Sequence, residues 1–172
     1  MRFPYLPLLF LSLTAFIAVS AAAEPQIGIE PGNRAPAIEL QDLNGRNVTL
    51  ADFRGKIVLL NFWSTLCAPC VAEMPSLNKL HTSLSSRGFS VLSISIDKSG
   101  KPVKTFTSDN KIIFPVLLDS EKAVFFDDFA APSLPASYLI DRDGIILESF
   151  SGPREWDSPE SIKKITKLLD KR

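Results

Sequence analysis

The sequence predicts an α/β fold built on a mixed β-sheet, and three consecutive stretches carry that prediction. Residues 57–62 form a short, continuous and β-branched apolar run, which is typical of a strand buried on both faces. From residue 67 onward, apolar side chains recur at steps of three and four, the spacing of one helical face: Val71, Met74, Leu77, Leu80 and Leu84. Residues 89–96 then alternate apolar and small polar side chains as a second strand. In such a β-α-β unit the two strands run parallel.

A β-hairpin is predicted ahead of this unit. Residues 37–40 and 47–50 flank Asn44 and Gly45, a dipeptide that favours a tight turn between antiparallel strands. Residues 27–34 show no clear periodicity, so we expect them to run over the surface as an arm.

The second half of the chain predicts further strands and helices in alternation. In order, these are a helix near residues 102–109, a strand at 114–118, a helix at 121–126, a loop at 127–134, and two strands at 136–140 and 145–150. The last two flank a turn and should pair antiparallel, which makes the sheet mixed. Ser158 as N-cap and Pro159 at the first helical position start a final helix.

The first residues have the pattern of a secretory signal peptide. A positive start at Arg2, an apolar stretch at residues 3–19 and small residues up to Ala23 predict a leader over residues 1–23. Residues 24–172 then form a single domain outside the cytoplasm, periplasmic or secreted. The apolar stretch approaches the length of a membrane span, so an uncleaved anchor is the alternative. The 19 basic and 19 acidic residues balance, which argues against nucleic acid as a partner.

Both cysteines of the chain stand at the head of the predicted active helix. Cys67 and Cys70 lie on the same side of its first turn, close enough to close a disulfide. The helix dipole and the unpaired N–H groups there should stabilise a thiolate at Cys67 and lower its pKa. A structural disulfide is the alternative, but so short a loop cross-links little chain, which favours redox function.

The cysteine pattern identifies a family resemblance. The chain has the pattern Cys-x-x-Cys-x-x-Glu-x-Pro, formed by Cys67, Cys70, Glu73 and Pro75, after a strand that ends in Phe62 and Trp63. This pattern resembles the thioredoxin superfamily, and within it the exported TlpA/ResA-type branch. The resemblance implies a thioredoxin-like fold: a central mixed sheet flanked by helices, with an N-terminal hairpin and a βα insertion before a cis-proline.

The same resemblance implies the activity and the partners. Cys67 would attack a partner disulfide and Cys70 would resolve the mixed disulfide, which is thiol–disulfide oxidoreductase chemistry. Members of this branch are usually reductants that serve cytochrome c maturation or related redox pathways outside the cytoplasm. We therefore expect exported protein thiols and disulfides as partners, a membrane electron donor, a monomer and no bound cofactor.

Four further residues are candidates for the partner-binding surface. Residues 134–141 resemble the family segment with the cis-proline, which points to Pro135, with Pro132 as the alternative register. A cis bond there would leave the backbone of Leu134 exposed to pair with an extended substrate chain. Trp63 resembles the family tryptophan beside the cysteines, although core filling explains it equally well. Leu66 stands where most relatives have a second tryptophan.

Glu73 is the candidate acid of the site. Periodicity alone predicts a solvated helical glutamate, whereas the resemblance implies an acid beneath the disulfide. If buried, it would have a raised pKa and could exchange a proton with Cys70. Asn61 supports this reading, because cytoplasmic thioredoxins have a titratable aspartate at the matching position and asparagine cannot titrate.

Two other functions remain open at the level of sequence. A peroxiredoxin shares the hairpin and the insertion, but Leu60 and Ser64 occupy the positions where that family has proline and threonine. A Cu(I)-handling module would use Cys67 and Cys70 as soft ligands, but no methionine or histidine lies close in sequence to complete the site. The single histidine, His81, is about four turns from Cys67 and is expected to pack on the helix or the surface.

Overall fold

A computed structural model describes residue 1 and residues 26–171 of the protein. Seven strands form one sheet in the order β2-β1-β5-β4-β3-β6-β7. The strands are β1 (Glu39–Asp42), β2 (Asn47–Thr49), β3 (Ile57–Trp63), β4 (Phe89–Ser95), β5 (Val116–Leu118), β6 (Ala136–Ile140) and β7 (Ile146–Ser151). The helices are α1 (Ala68–Leu84), α2 (Gly100–Asp109) and α3 (Pro159–Leu169).

The centre of the sheet is the predicted β-α-β unit. β3 pairs parallel with β4 over its whole length, from Ile57 opposite Phe89 to Trp63 opposite Ser95. β5 continues the parallel part beyond β4, while β6 pairs antiparallel with β3 on the other side. Every residue of β3 is buried, as its continuous apolar run predicts. The prediction of a mixed sheet is confirmed.

Two apolar clusters cover the two faces of the sheet. Alternate residues of β3 point to opposite faces, so Leu59 joins the cluster beneath α1, whereas Leu60 joins the other. The apolar face of α1 supplies Leu77 and Leu80, both fully buried, to the first cluster. Fully burying a leucine side chain contributes about 1.5–3 kcal/mol, so this face holds α1 firmly against the sheet.

The predicted N-terminal hairpin is present and extends the sheet. β1 and β2 pair antiparallel around a turn in which Gly45 has a φ of +80°, a left-handed conformation that glycine adopts without steric cost. β1 also pairs antiparallel with β5, through Gln41 opposite Leu118. The preceding arm lies against the start of β7 through the bridge between Arg34 and Ile145.

The insertion before β6 differs from its prediction. Instead of a regular helix at residues 121–126, the chain forms one wide helical turn over Val124–Asp128. Lys122 adopts a left-handed φ of 61°, and its N–H donates to the carbonyl of Asp119. The Asp119 carboxylate accepts the N–H of Phe125 at 2.9 Å, so this buried side chain provides the partner for a backbone donor near the start of the turn. The preceding strand, β5, is shorter than predicted for the same segment.

The end of the domain follows the sequence closely. The final helix, α3, begins at Pro159, and the hydroxyl of its N-cap Ser158 accepts the N–H of Ser161. The predicted signal peptide lies outside the described residues except for Met1, and its cleavage stays a prediction. Within the part of the chain that the structure describes, no helix is long and apolar enough to cross a bilayer.

Candidate active site

The two cysteines form a disulfide at the N-terminus of α1. Their Cα atoms are 5.2 Å apart. Cys67 is the N-cap of the helix, and its sulfur accepts the backbone N–H of Cys70 at 3.3 Å. Cys67 is half-buried, whereas Cys70 has an exposed fraction of 0%. A protein partner can therefore reach the sulfur of Cys67 but not that of Cys70.

The loop before β6 lies beside this disulfide. The peptide bond between Leu134 and Pro135 is cis, so the predicted cis bond is confirmed at Pro135 and the alternative register at Pro132 is not adopted. Leu134 is half-buried and lines the same surface cleft as Cys67. Neither its N–H nor its carbonyl forms a hydrogen bond with another residue in the range 26–171.

Glu73 lies inside the protein, one helical turn after Cys70. Its exposed fraction is 3%, so the alternative of a solvated helical glutamate is excluded. Oε1 accepts the side-chain amide N–H of Asn61 at 2.8 Å. Oε2 accepts the backbone N–H of Arg154 at 3.2 Å and the indole N–H of Trp156 at 3.3 Å. One donor from β3 and two from the loop between β7 and α3 therefore hold the carboxyl group in place.

Burial decides the protonation of this carboxyl. It raises the pKa of Glu73 above the ordinary 4.5, while the hydrogen bonds from Asn61, Arg154 and Trp156 oppose the shift. The raised pKa brings Glu73 closer to neutral pH, where a group can both take up and release a proton. Cys70 and Glu73 are three residues apart on one helix and therefore share a face.

Asn61 links Glu73 to a row of polar side chains across the sheet. Asn61 lies opposite Ser93 on β4 and opposite Ser137 on β6, and its amide nitrogen donates to the Ser137 hydroxyl at 3.0 Å. The amide oxygen of Asn61 and the hydroxyl of Ser93 are both buried, and neither has a hydrogen-bond partner among the described residues. The amide could therefore turn over and present its oxygen to Glu73 instead.

A second buried carboxylate, Asp97, orders the loop that leads into Cys67. It accepts four hydrogen bonds, namely from the hydroxyls of Ser64, Thr65 and Ser95 and from the N–H of Thr65. Although burial acts in the opposite direction, these bonds hold the pKa of Asp97 below its ordinary 3.8.

The substrate-binding candidates Leu66 and Trp63 have opposite environments. Leu66 has an exposed fraction of 92% and offers its whole side chain to a partner. Trp63 has an exposed fraction of 1%, and its ring lies 5.1 Å from that of Phe106, between centroids. Trp63 thus packs in the core beneath the site. Direct contact of Trp63 with a substrate stays a prediction that this buried position does not favour.

The structure also shows the environments of the residues that bear on the peroxiredoxin and Cu(I)-handling alternatives. Leu60 is buried in the core, and the Ser64 hydroxyl is bound to Asp97. His81 accepts the N–H of Val91 through Nδ1 at 3.1 Å, and burial together with nearby Lys56 lowers its pKa. Within residues 26–171, no group of three histidine, cysteine or acidic residues could hold a metal ion.

Comparison with known proteins agrees with this site. The profile of the AhpC/TSA family matches residues 31–149. The thiol–disulfide oxidoreductase ResA of Bacillus thuringiensis subsp. konkukian is 35% identical over 139 residues, which cover 80% of each chain. ResA of Bacillus subtilis is 33% identical over 83% of this chain and 77% of its own.

Solved structures share the fold at lower identity. The thioredoxin domain of a thiol–disulfide oxidoreductase from Bacteroides vulgatus superposes with a TM-score of 0.73 at 26% identity, over 83% of this chain and 100% of that one. A thioredoxin family thiol:disulfide interchange protein from Chlorobium tepidum has a TM-score of 0.68 at 25% identity, over 87% and 99% of the two chains. With its thioredoxin-like fold and its paired cysteines, the chain belongs to the AhpC/TSA family and is a thiol–disulfide oxidoreductase similar to the ResA proteins.

Proposed function

We propose that this protein reduces disulfides in exported proteins, with Cys67 as the attacking residue and Cys70 as the resolving residue. One observation carries the assignment of roles: the sulfur of Cys67 is accessible at the N-cap of α1, whereas Cys70 is fully buried behind it. A thiolate at an N-cap is stabilised by the helix dipole and by nearby N–H groups. Cys67 is therefore the more acidic and more reachable of the two thiols.

The reaction consists of two thiol–disulfide exchanges. The Cys67 thiolate bonds to one sulfur of the partner disulfide, and the other partner sulfur leaves as a thiolate. The Cys70 thiolate then bonds to the Cys67 sulfur and releases the second partner sulfur. The partner disulfide gains two electrons, and the protein dithiol loses them to become the 67–70 disulfide.

Glu73 serves the second exchange as a proton acceptor. Cys70 is buried and must lose its proton before it can attack Cys67. No solvent reaches it directly, whereas Glu73 lies one turn further along the same helix with a raised pKa. A carboxylate with a pKa closer to neutrality can take this proton and release it to solvent after the partner has left.

The partner binds as an extended chain beside the cis-proline. The unpaired N–H and carbonyl of Leu134 can form strand-like hydrogen bonds with it, which is recognition by β-addition. Pro135 holds this loop at the start of β6, next to Cys67. The exposed side chain of Leu66 adds an apolar contact in the same cleft as Cys67 and Leu134.

The cellular setting follows from the leader and from the family resemblance. The predicted signal peptide sends the domain out of the cytoplasm, where a cysteine pair becomes oxidised unless a donor reduces it. A reductant there requires a supply of electrons, for which we propose a membrane donor. The preferred clients are the haem-attachment cysteines of cytochrome c, or proteins of a related extracytoplasmic redox pathway. The domain acts as a monomer without a bound cofactor.

Trapping the natural client tests this function. In Cys70→Ser the first exchange proceeds but the second cannot, so a mixed disulfide with Cys67 should accumulate in the native host. The matched control Cys67→Ser should trap little. Identification of exported cysteine proteins supports the proposal, whereas equal capture by both variants contradicts the assigned roles.

Turnover in vitro separates an enzyme from a copper-binding module. We expect the wild-type protein to accelerate the reduction of insulin by dithiothreitol and Cys67→Ser to abolish the acceleration. A parallel titration with Cu(I) provides the comparison. Tight stoichiometric copper binding without turnover would contradict an oxidoreductase function.

A further inference from the structure

A shallow cleft beside Cys67 contains more than the parts that the exchange chemistry needs. It has a volume of about 400 Å³, and Leu66, Ile96 and Leu134 form its apolar surface. Lys98 and Lys122 line the same cleft from two different loops. An extended partner chain that occupies this cleft while its sulfur reacts with Cys67 lies beside these side chains, because successive residues of the chain advance by only about 3.3 Å.

The exposed charges of the cleft are cationic. Lys98 is exposed and Lys122 is half-buried, and neither ammonium forms a salt bridge with a carboxylate in the range 26–171. Among the described residues that line the cleft, Asp97 alone is acidic, and its exposed fraction is 7%. Its oxygens already accept four intramolecular hydrogen bonds. A bound chain therefore meets two ammonium groups and a carboxylate that is already occupied.

The loop that carries Lys122 is held in a fixed shape. Its backbone N–H donates to the carbonyl of Asp119, and the Asp119 carboxylate accepts the N–H of Phe125. Asp119 itself is buried and is joined to β4 by its N–H bond to the Ser95 carbonyl. Lys122 is thus anchored to the strand next to the active site, which limits the entropy lost when its side chain pairs with a ligand.

We propose, on the basis of the oxidoreductase function above, that this cleft selects partner segments with an acidic side chain within two residues of the reacting cysteine. Lys98 and Lys122 are the specificity-determining residues, and the acidic group of the partner pairs with one or both of them. The apolar surface accommodates any partner, and the two lysines discriminate among partners by charge.

Peptide probes that differ only in charge test the selection. The reduced full chain is mixed with short peptides whose single cysteine forms a mixed disulfide with thionitrobenzoate, flanked on both sides by aspartate, serine or lysine. The Cys67 thiolate bonds to the peptide sulfur and expels the coloured aromatic thiolate. The Cys70 thiolate then bonds to Cys67 and expels the peptide thiolate, so the dithiol loses two electrons to the probe. Each rate is divided by that of dithiothreitol with the same peptide, which removes intrinsic differences in reactivity.

The expected order of normalised rates is aspartate, then serine, then lysine, with about fivefold between the extremes for two exposed ion pairs. The double variant Lys98→Glu/Lys122→Glu should reverse the order, so that the lysine peptide reacts faster than the aspartate peptide. Lys163→Glu, on an exposed position of α3 away from the cleft, is the matched control and should keep the wild-type order. High salt should flatten the differences.

Four outcomes would overturn the selection. Equal rates for all peptides with normal turnover would mean that the lysines do not discriminate. A preference that persists in the double variant, or that the control variant loses equally, would assign it to other groups. Failure of the wild-type protein to react with any peptide would instead contradict the oxidoreductase function, and the selection with it.

Discussion

Replacing Glu73 with glutamine removes the proposed proton acceptor but keeps the shape of the side chain. In the wild-type protein, Oε1 accepts a bond from Asn61, and Oε2 accepts bonds from Arg154 and Trp156. A glutamine oxygen in the place of Oε2 keeps the last two bonds, and its nitrogen then faces Asn61. Turning the Asn61 amide over brings its oxygen, which has no partner among the described residues, towards that nitrogen.

The number of hydrogen bonds that the glutamine keeps determines the expected effect on stability. All three hydrogen bonds are retained in neutral form, and the loss of charge assistance, about 1 kcal/mol per bond, is opposed by the relief of burying a charge. We expect the free energy of unfolding to change by less than about 2 kcal/mol. The rate of resolution should fall much more, by about a hundredfold, because general base catalysis contributes about 10²–10⁴.

The pH dependence of stability gives a second, independent readout. The raised pKa of Glu73 means that the folded protein binds this proton more tightly than the unfolded chain does. The associated stability is fully present below the ordinary carboxyl pKa of 4.5, and it is lost as the pH rises through the raised value. Glutamine has no such titration, so the wild-type protein should lose stability relative to Glu73→Gln across that range.

Stopped-flow exchange with a protein disulfide and urea unfolding, each over a series of pH values, measure the two effects. Glu39→Gln on β1 is the matched control, because Glu39 is exposed and lies outside the active site. A variant with wild-type rates and a wild-type pH profile would refute the role of Glu73. A variant that does not fold would refute the reasoning from retained hydrogen bonds.

Three other substitutions probe the surroundings of the disulfide. Trp156→Phe removes one donor to Glu73, so the midpoint of the pH–rate profile should rise by about half a unit, and an unchanged midpoint would show that this donor is unimportant. Asp97→Asn keeps an acceptor oxygen for the Thr65 N–H and the Ser95 hydroxyl, and its amide NH2 faces the hydroxyls of Ser64 and Thr65, which must turn to accept from it. Loss of the charge-assisted bonds should lower the free energy of unfolding by about 2–3 kcal/mol, measured by urea unfolding. In the wild-type protein the contribution of Asp97 is present above pH 3.8 and is lost as the pH falls through its lowered pKa, a dependence that the asparagine variant should lack. Leu66→Ser should change the free energy of unfolding by less than about 0.5 kcal/mol. Its exchange with protein disulfides should be slowed more than its exchange with dithiothreitol, and equal slowing of the two reactions would argue against a docking role for Leu66.

Local signals were sufficient to predict the elements that carry the cysteines. The continuous apolar run of β3, the spacing of the apolar residues on α1 and the alternation in β4 each follow from burial of one strand or one helical face. The turn at Gly45 and the cap at Ser158 are likewise determined by their own residue types. The shortened turn after Asp119 was missed, because a buried carboxylate overrides helix propensity there.

The partners of the two buried carboxylates were not predictable in the same way. Trp156 and Arg154 reach Glu73 from more than eighty residues along the chain, and no periodicity encodes such a contact. The site of Asp97 did leave a signal that could have been used. Thr65 follows β3 and Asp97 follows β4, and the carboxyl ends of adjacent parallel strands meet at one edge of a sheet.

Because Glu73 is buried, proton transfer and recognition of the partner depend on different residues of this site. The two side chains that donate to its carboxyl, those of Asn61 and Trp156, are buried, so a visiting protein touches neither of them. The exposed residues around Cys67 can therefore be substituted, which changes the clients that bind, without affecting proton transfer by Glu73. Among such proteins, substitutions at the surface should therefore change which clients are bound, and substitutions of buried residues should change the pH dependence of the reaction.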